Sequence, residues 1–425
     1  MQIEIICTGD EVLTGKIVNT NFAYMAQKLE DFGLPVRWGV TVGDDREDLL
    51  QAFQTAGQRA DAVIVNGGLG PTVDDLSQEV AAQAAGVGLV LHPEWLVHVE
   101  EFFARRGLRM PPNNQKQAML PEGAELIDNP IGTACGFALD IGQARFYFTP
   151  GVPRELYRML ENEILPRLLD RSGRQTAILL KRFHSFGLGE SHVDQLLQGV
   201  EALVPDGSLK LGFRAHYPQL ETKLTLRGTD LAGLRAKLAP VEQEVRRRIG
   251  NFIGAEDDET LEGVVLARLK ERQGSLAVVE TLTGGQIAGR IAPLLGAEAV
   301  FRRGTVARNL PEIYAALEIE GQPPTGPLTL EVAEAMADAA RRQAAATHGL
   351  AVLVEEEEEG GATLGGTILL AVATEQEVAS RRSRLTGRRD WVCLGAMEMG
   401  LDSLRRYLQG LPLRERIDFE KTERP

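Results

Sequence analysis

A chain of 425 residues is too long for one ordinary hydrophobic core, so two or three domains are expected, and 44% hydrophobic with 25% charged residues is the balance of an ordinary globular protein. A formal net charge of -14 works against general affinity for nucleic acid, no apolar run reaches the roughly 18 residues of a membrane span, and Gln2-Ile3-Glu4-Ile5-Ile6 has neither the basic region nor the cleavage site of a secretory leader. Cys7, Cys135 and Cys393 show no paired spacing and suit a reducing compartment, so a cytoplasmic protein with small-molecule partners, and no nucleic-acid or membrane partner, is expected.

In chain order, Gln2 to Thr8 alternates as a strand, and the loop from Gly9 to Gly15 leads to a helix with Phe22, Met25, Ala26 and Leu29 on one face. Gly33 ends that helix. A strand over Val36 to Val42 and a helix from Arg46 to Gln58 precede Ala62-Val63-Ile64-Val65-Asn66-Gly67-Gly68-Leu69-Gly70-Pro71-Thr72-Val73-Asp74-Asp75. The β-branched run reads as a buried parallel strand, the glycines turn the chain, and Thr72 with Asp75 forms a capping-box pattern that opens a helix. The βαβαβ order implies a parallel sheet, whose ligands settle at the carboxyl ends of the strands.

Glycines let backbone N–H groups approach a ligand, and a helix N-terminus favours an anion, so a phosphate is the natural guest of Gly67, Gly68 and Gly70. Asp74 and Asp75 would repel that guest unless a divalent cation such as Mg²⁺ bridges them. Asp10, in the loop after the first strand with Glu11, is a second metal candidate. The plainer alternatives are an acidic cap on a turn and a solvated loop. Further on, Pro111 to Ala118 forms a donor-rich loop containing Lys116, and Asn129 to Gly136 forms a small-residue loop. Thr149-Pro150-Gly151-Val152-Pro153-Arg154-Glu155 is another turn at a helix start, where Arg154 can clamp phosphate and Glu155 can hold metal.

Thr8-Gly9-Asp10-Glu11-Val12-Leu13, Asn19-Thr20-Asn21, Asn66-Gly67-Gly68-Leu69-Gly70-Pro71-Thr72, Lys116-Gln117-Ala118, Gly132-Thr133-Ala134 and Pro150-Gly151-Val152-Pro153 together resemble the N-terminal domain of the CinA family of competence/damage-inducible proteins, which is related to molybdopterin-binding domains. The resemblance implies a three-layer α/β/α molybdopterin-binding-like domain over residues 1–170. It also implies a metal-dependent pyrophosphatase acting on ADP-ribose. Its catalytic candidates are Asp74, Asp75 and Lys116; its nucleotide-binding candidates are Gly67, Gly68, Gly70, Thr72, Thr133 and Arg154. Asp10, Asp74, Asp75 and Glu155 are the candidates for holding Mg²⁺, Mn²⁺ or Co²⁺.

Residues 171–253 read as a small α+β module with strands at Ala177 to Phe183 and Leu220 to Arg227 and helices opening at Gly187 to Ser191 and spanning Leu231 to Ile249. His184, His192 and His216 lack the spacing of a metal-ligand set. In the CinA family this module links the larger domains and supports a homodimer. Gly254 to Glu259 reads as an acidic linker, Thr260 caps a helix to about Arg272, and a strand at Ser275 to Val279 leads into Glu280-Thr281-Leu282-Thr283-Gly284-Gly285.

Residues 260–425 resemble the CinA C-terminal α/β domain, which in many members deamidates nicotinamide mononucleotide. The departures are specific. Thr281-Leu282 replaces the family's Ser-Cys, and the family's tyrosine and activating lysine fall on Arg308 and Ile313. The five glutamates Glu355 to Glu359 read as a solvated flexible loop. A degenerate domain without deamidase activity is therefore expected. Two rivals to a pyrophosphatase remain: a non-catalytic nucleotide- or pterin-binding protein, and a regulatory scaffold.

Overall fold

The computed structural model describes residues 1–173, 177–359 and 362–421, gathered into two compact units, Met1–Ile178 and Leu179–Pro425. In the first unit the apolar runs become β1 (Ile3–Thr8), β2 (Val36–Val42) and β3 (Ala62–Asn66), with a ribbon of β4 (Leu89–Leu91) and β5 (Met119–Pro121), then β6 (Glu125–Ile127), β7 (Gly136–Ile141) and β8 (Ala144–Thr149). The main sheet has the order β2-β1-β3-β8-β7-β6. Its first four strands are parallel, as expected, whereas at the far edge β7 pairs antiparallel with β8 and β6 antiparallel with β7, because short connections return the chain.

Both faces of this sheet are covered, which is why its central strands are unbroken apolar runs. On one face Ile3, Ile5 and Ile64 pack with Met25 and Leu29 of α2 (Thr20–Asp31) and with Leu156 and Leu168 of α6 (Pro153–Met159) and α7 (Leu165–Arg171). On the other, Ile6, Val63 and Val65 pack with Phe53 of α3 (Arg46–Arg59), Val80 of α4 (Ser77–Ala85) and Trp95 of α5 (Pro93–Ala104). Capping is local chemistry: Asn19 accepts from the Phe22 amide, and Asp45 from those of Glu47 and Asp48. Two sequence expectations shift. The loop after β1 contains a short helix, α1 (Asp10–Leu13), and α4 opens at Ser77 rather than at Thr72.

The second unit begins with a sheet of order β10-β11-β9-β12, comprising β9 (Ala177–Phe186), β10 (Leu209–His216), β11 (Gln219–Gly228) and β12 (Ile253–Glu256), with α8 (Glu190–Leu196) and α9 (Leu231–Ile249). The stretch expected as an acidic linker thus contains a strand. Glu256 and Asp257 bind Lys181, each at 2.6 Å, and Glu256 also binds Arg246. A second sheet has the order β14-β13-β15-β16-β17, from β13 (Leu276–Glu280), β14 (Phe301–Val306), β15 (His348–Glu359), β16 (Ala362–Ala373) and β17 (Val378–Thr386). One face carries α10 (Leu261–Glu271), α11 (Gln286–Ile291) and α14 (Arg389–Gln409); the other carries α12 (Leu310–Ala316) and α13 (Leu330–Gln343). The two sheets of this unit are tied through Tyr217, whose ring stacks on Trp391 at 4.4 Å, and through His192, 3.0 Å from Asp418.

The glutamate run corrects the loop expectation: it extends β15, paired antiparallel with β16. Repulsion along the run is relieved by distant arginines, since Glu356 meets Arg308 and Arg389 while Glu357 meets Arg384. Among the described residues no helix is long and apolar enough to cross a membrane.

Candidate functional site

At the carboxyl ends of β1, β2, β3 and β8 lies a cavity of about 520 Å³. Its walls are chiefly the turns that follow those strands, the usual ligand position in an open parallel sheet, completed by Gln117 before β5 and by Thr133 and Ala134 before β7. Gly67 and Gly68 have φ of 115° and 69°, a backbone that side-chain-bearing residues rarely adopt. The Gly67 amide donates to Thr149 O (2.9 Å), and the Ser77 hydroxyl donates to Gly67 O (2.8 Å). An amide chain fixes the neighbouring turn: Asn21 donates to Asn66 Oδ1 and Gly151 O, and Asn66 donates to Pro150 O (2.7 Å).

The candidate residues divide. Gly67, Gly68, Gly70, Thr72, Asp74, Asp75, Thr133 and Glu155 all line the cavity. Because the Gly67 amide already serves Thr149, the ligand-facing role expected of that N–H is not available to it. Thr72 and Asp75 form a turn, with the Thr72 amide and hydroxyl donating to Asp75 Oδ2 at 2.8 and 2.5 Å. This is half of a capping box without a helix behind it. Glu155 accepts from Asn129 Nδ2 (2.7 Å), and burial pushes its carboxyl above its ordinary value against that bond. Trp95 and His98, stacked at 4.3 Å, hold the carbonyls of Thr133 and Gly132.

Asp10, Lys116 and Arg154 are not among the lining residues. The Asp10 carboxylate accepts the Asp44 amide (3.2 Å), while its own amide donates to Asp44 Oδ2 (3.1 Å). Lys116 Nζ donates to Thr72 O (2.9 Å) and faces Glu79 at 3.6 Å. Arg154 is exposed on the first turn of α6.

Glu11, from the same loop as Asp10, does line the cavity, which also gains Asp44. Burial and the charges of Asp10, Glu11 and Asp75 push the Asp44 carboxyl up, opposed by the bond from the Asp10 amide. Sequence reasoning passed over Asp44, although its place directly after the second parallel strand was the available signal. Five carboxylates therefore line the cavity, and none of the lining residues, among those described, is lysine, arginine or histidine. As placed, no three His, Cys, Asp or Glu side chains among the described residues form a ready ion-holding group. The donor chemistry nevertheless fits a hard divalent cation: beside the carboxylates, the buried Thr8 Oγ1 has no hydrogen-bond partner among the described residues.

The corresponding turn of the second unit is differently built. Glu280, fully buried, accepts from Thr283 Oγ1 and from the amides of Ile287 and Ala288, capping α11. The Thr281 hydroxyl accepts the Val354 amide at 2.9 Å, and the residue is 5% exposed. Ile313 is core, and Arg308 pairs with Glu356 at 2.9 Å.

A three-layer α/β/α domain with a glycine turn and carboxylates at its strand ends is of the molybdopterin-binding class, and the model described as a probable molybdopterin binding domain matches residues 4–170. The damage-inducible protein CinA KH domain matches residues 180–253 and the CinA C-terminal domain residues 258–408. A CinA-like protein of Shewanella amazonensis is 37% identical over 418 residues, 96% of each chain, and one of Shewanella sediminis is 37% identical over 415 residues, again 96% of each. The solved structure of CinA from Thermoplasma acidophilum, described as of unknown function, is 32% identical and covers 40% of this chain and 96% of its own, with a TM-score of 0.36. The chain belongs to the CinA family.

Proposed function

We propose that the first unit is a divalent-metal-dependent pyrophosphatase that hydrolyses ADP-ribose, or a similar nucleotide, to AMP and ribose 5-phosphate. The observation that carries this reading is the set of five carboxylates around a glycine turn with no basic lining residue, because a pyrophosphate enters such a cavity only with cations beside it. Asp44, Asp74, Asp75 and the Thr8 hydroxyl, which line the cavity together, are the groups that would hold Mg²⁺, Mn²⁺ or Co²⁺. The cation, when bound, neutralises phosphate charge and lowers the pKa of water. The chain's own part is orientation: the Asn21–Asn66 pair and Ser77 hold two turns in register, so that the pyrophosphate has a fixed seat. Water attacks one phosphorus, the P–O–P bridge breaks, and a cavity carboxylate takes the water proton.

The test is incubation of the purified chain with ADP-ribose and each cation, following AMP and ribose 5-phosphate. Release that a chelator stops is the expected result. A second reading, a nucleotide- or pterin-binding protein without turnover, is favoured by the lack of a ready three-ligand group among the described residues. Binding without product in the same assay would select it. For the second unit we propose no deamidation of nicotinamide mononucleotide, supported by the Thr281 hydroxyl being engaged by Val354 and by the core position of Ile313.

A further inference from the structure

Lys116 reaches the acidic turn, its Nζ 2.9 Å from Thr72 O, and contact with a substrate phosphate is the obvious role for it. Its bonds point elsewhere. Thr72 is held from two sides: its carbonyl accepts Lys116 Nζ at 2.9 Å and the Asp75 amide at 3.4 Å, while its own amide and hydroxyl both donate to Asp75 Oδ2. The ammonium is further engaged by Glu79, which in turn pairs with Arg46, two residues beyond Asp44. We propose that Lys116 is a positioning residue that fixes Asp75 for cation binding by clamping the Thr72 carbonyl, and that it does not touch the substrate.

The inference rests on the metal-dependent reading of the first unit, and the sign of one measurement separates it from plain electrostatics. Removing a positive charge beside five carboxylates should, by Coulomb's law alone, tighten binding of a cation. Removing a clamp should loosen it, because the turn, still closed on itself by the Thr72–Asp75 bonds, loses its tie to Lys116 and can shift as a unit with Asp75.

The experiment is calorimetric titration of the full chain with Mn²⁺ alone, without nucleotide. Lys116→Met is expected to weaken Mn²⁺ binding by about tenfold, the scale on which loss of an outer-shell partner acts. Lys116→Arg, which keeps a donor for Thr72 O, should retain most of the affinity. Asp75→Asn combined with Lys116→Met should weaken binding little beyond Asp75→Asn alone, since the two act as a unit. Circular dichroism establishes folding; if methionine is not tolerated, Lys116→Gln, too short to reach Thr72 O, replaces it with the same readings. Unchanged or tighter Mn²⁺ binding in a folded variant overturns the positioning role while leaving the metal reading intact. Absence of Mn²⁺ binding by the unmodified chain overturns both.

Discussion

A methyl group on Gly70 would stand 2.5 Å from Asp75 Oδ2, on a backbone that tolerates any residue. Gly70→Ala should therefore displace Asp75, cut metal-dependent turnover at least tenfold and lower the melting temperature by no more than loss of the Thr72 bonds to Asp75 does, a pairing that steady-state assays and calorimetry can read together. Gly68 looks similar in sequence but differs physically. Its φ of 69° and the Ser77 side chain beside it oppose any larger residue, so Gly68→Val should cost about 1 kcal/mol or more in stability before any effect on ligand. Asp74→Ala with Asp75→Ala should abolish chelator-sensitive turnover; loss of the bonds from Thr72 adds a stability cost of about 1 kcal/mol, readable as a lower urea midpoint. The glycines and Asp74–Asp75 were legible because residue type and spacing carry them. Asp10 stands outside the cavity lining, its carboxylate engaged by a turn 34 residues away, a pairing that local pattern does not encode.

At the scale of elements, period and caps sufficed where a segment's conformation is set by its own residues: α9 spans Leu231–Ile249 and begins at an Asp230 cap, and β3 is the apolar run itself. They failed where a turn closes on itself and where the partner is remote. Thr72 and Asp75 satisfy each other in a turn, so the helix waits until Ser77. The glutamates form a strand because alternation turns Glu356 and Glu357 to opposite faces, each with its own arginine. Thr281 gives an element-scale test. Thr281→Ala leaves the buried Val354 amide without its acceptor, and about 1–3 kcal/mol of stability should go, visible in chemical denaturation. His348, at the start of β15, supplies a pH test. Burial, helped by the Arg272 charge, holds its imidazole below the ordinary value of 6.5. The unfolded chain thus takes up a proton first, and stability should fall as pH drops through 6.5 toward the lower folded value. His348→Gln should flatten that part of the melting-temperature profile.

At the scale of the whole molecule, the division into Met1–Ile178 and Leu179–Pro425 predicts that heat capacity scans resolve two transitions. Mn²⁺ should raise the one belonging to the first unit and leave the other in place, because a ligand stabilises only what it binds. One merged transition shifted as a whole would contradict this. Sequence had suggested three modules, and the middle one packs with the last through Tyr217, Trp391 and Asp418, contacts between residues more than 170 positions apart. Every residue lining the acidic cavity falls between Thr8 and Glu155. A gene broken after the codon for Ile178 would lose no wall of that cavity, so recombination can carry the pocket from one lineage to another as a single cassette, whatever becomes of the sequence downstream.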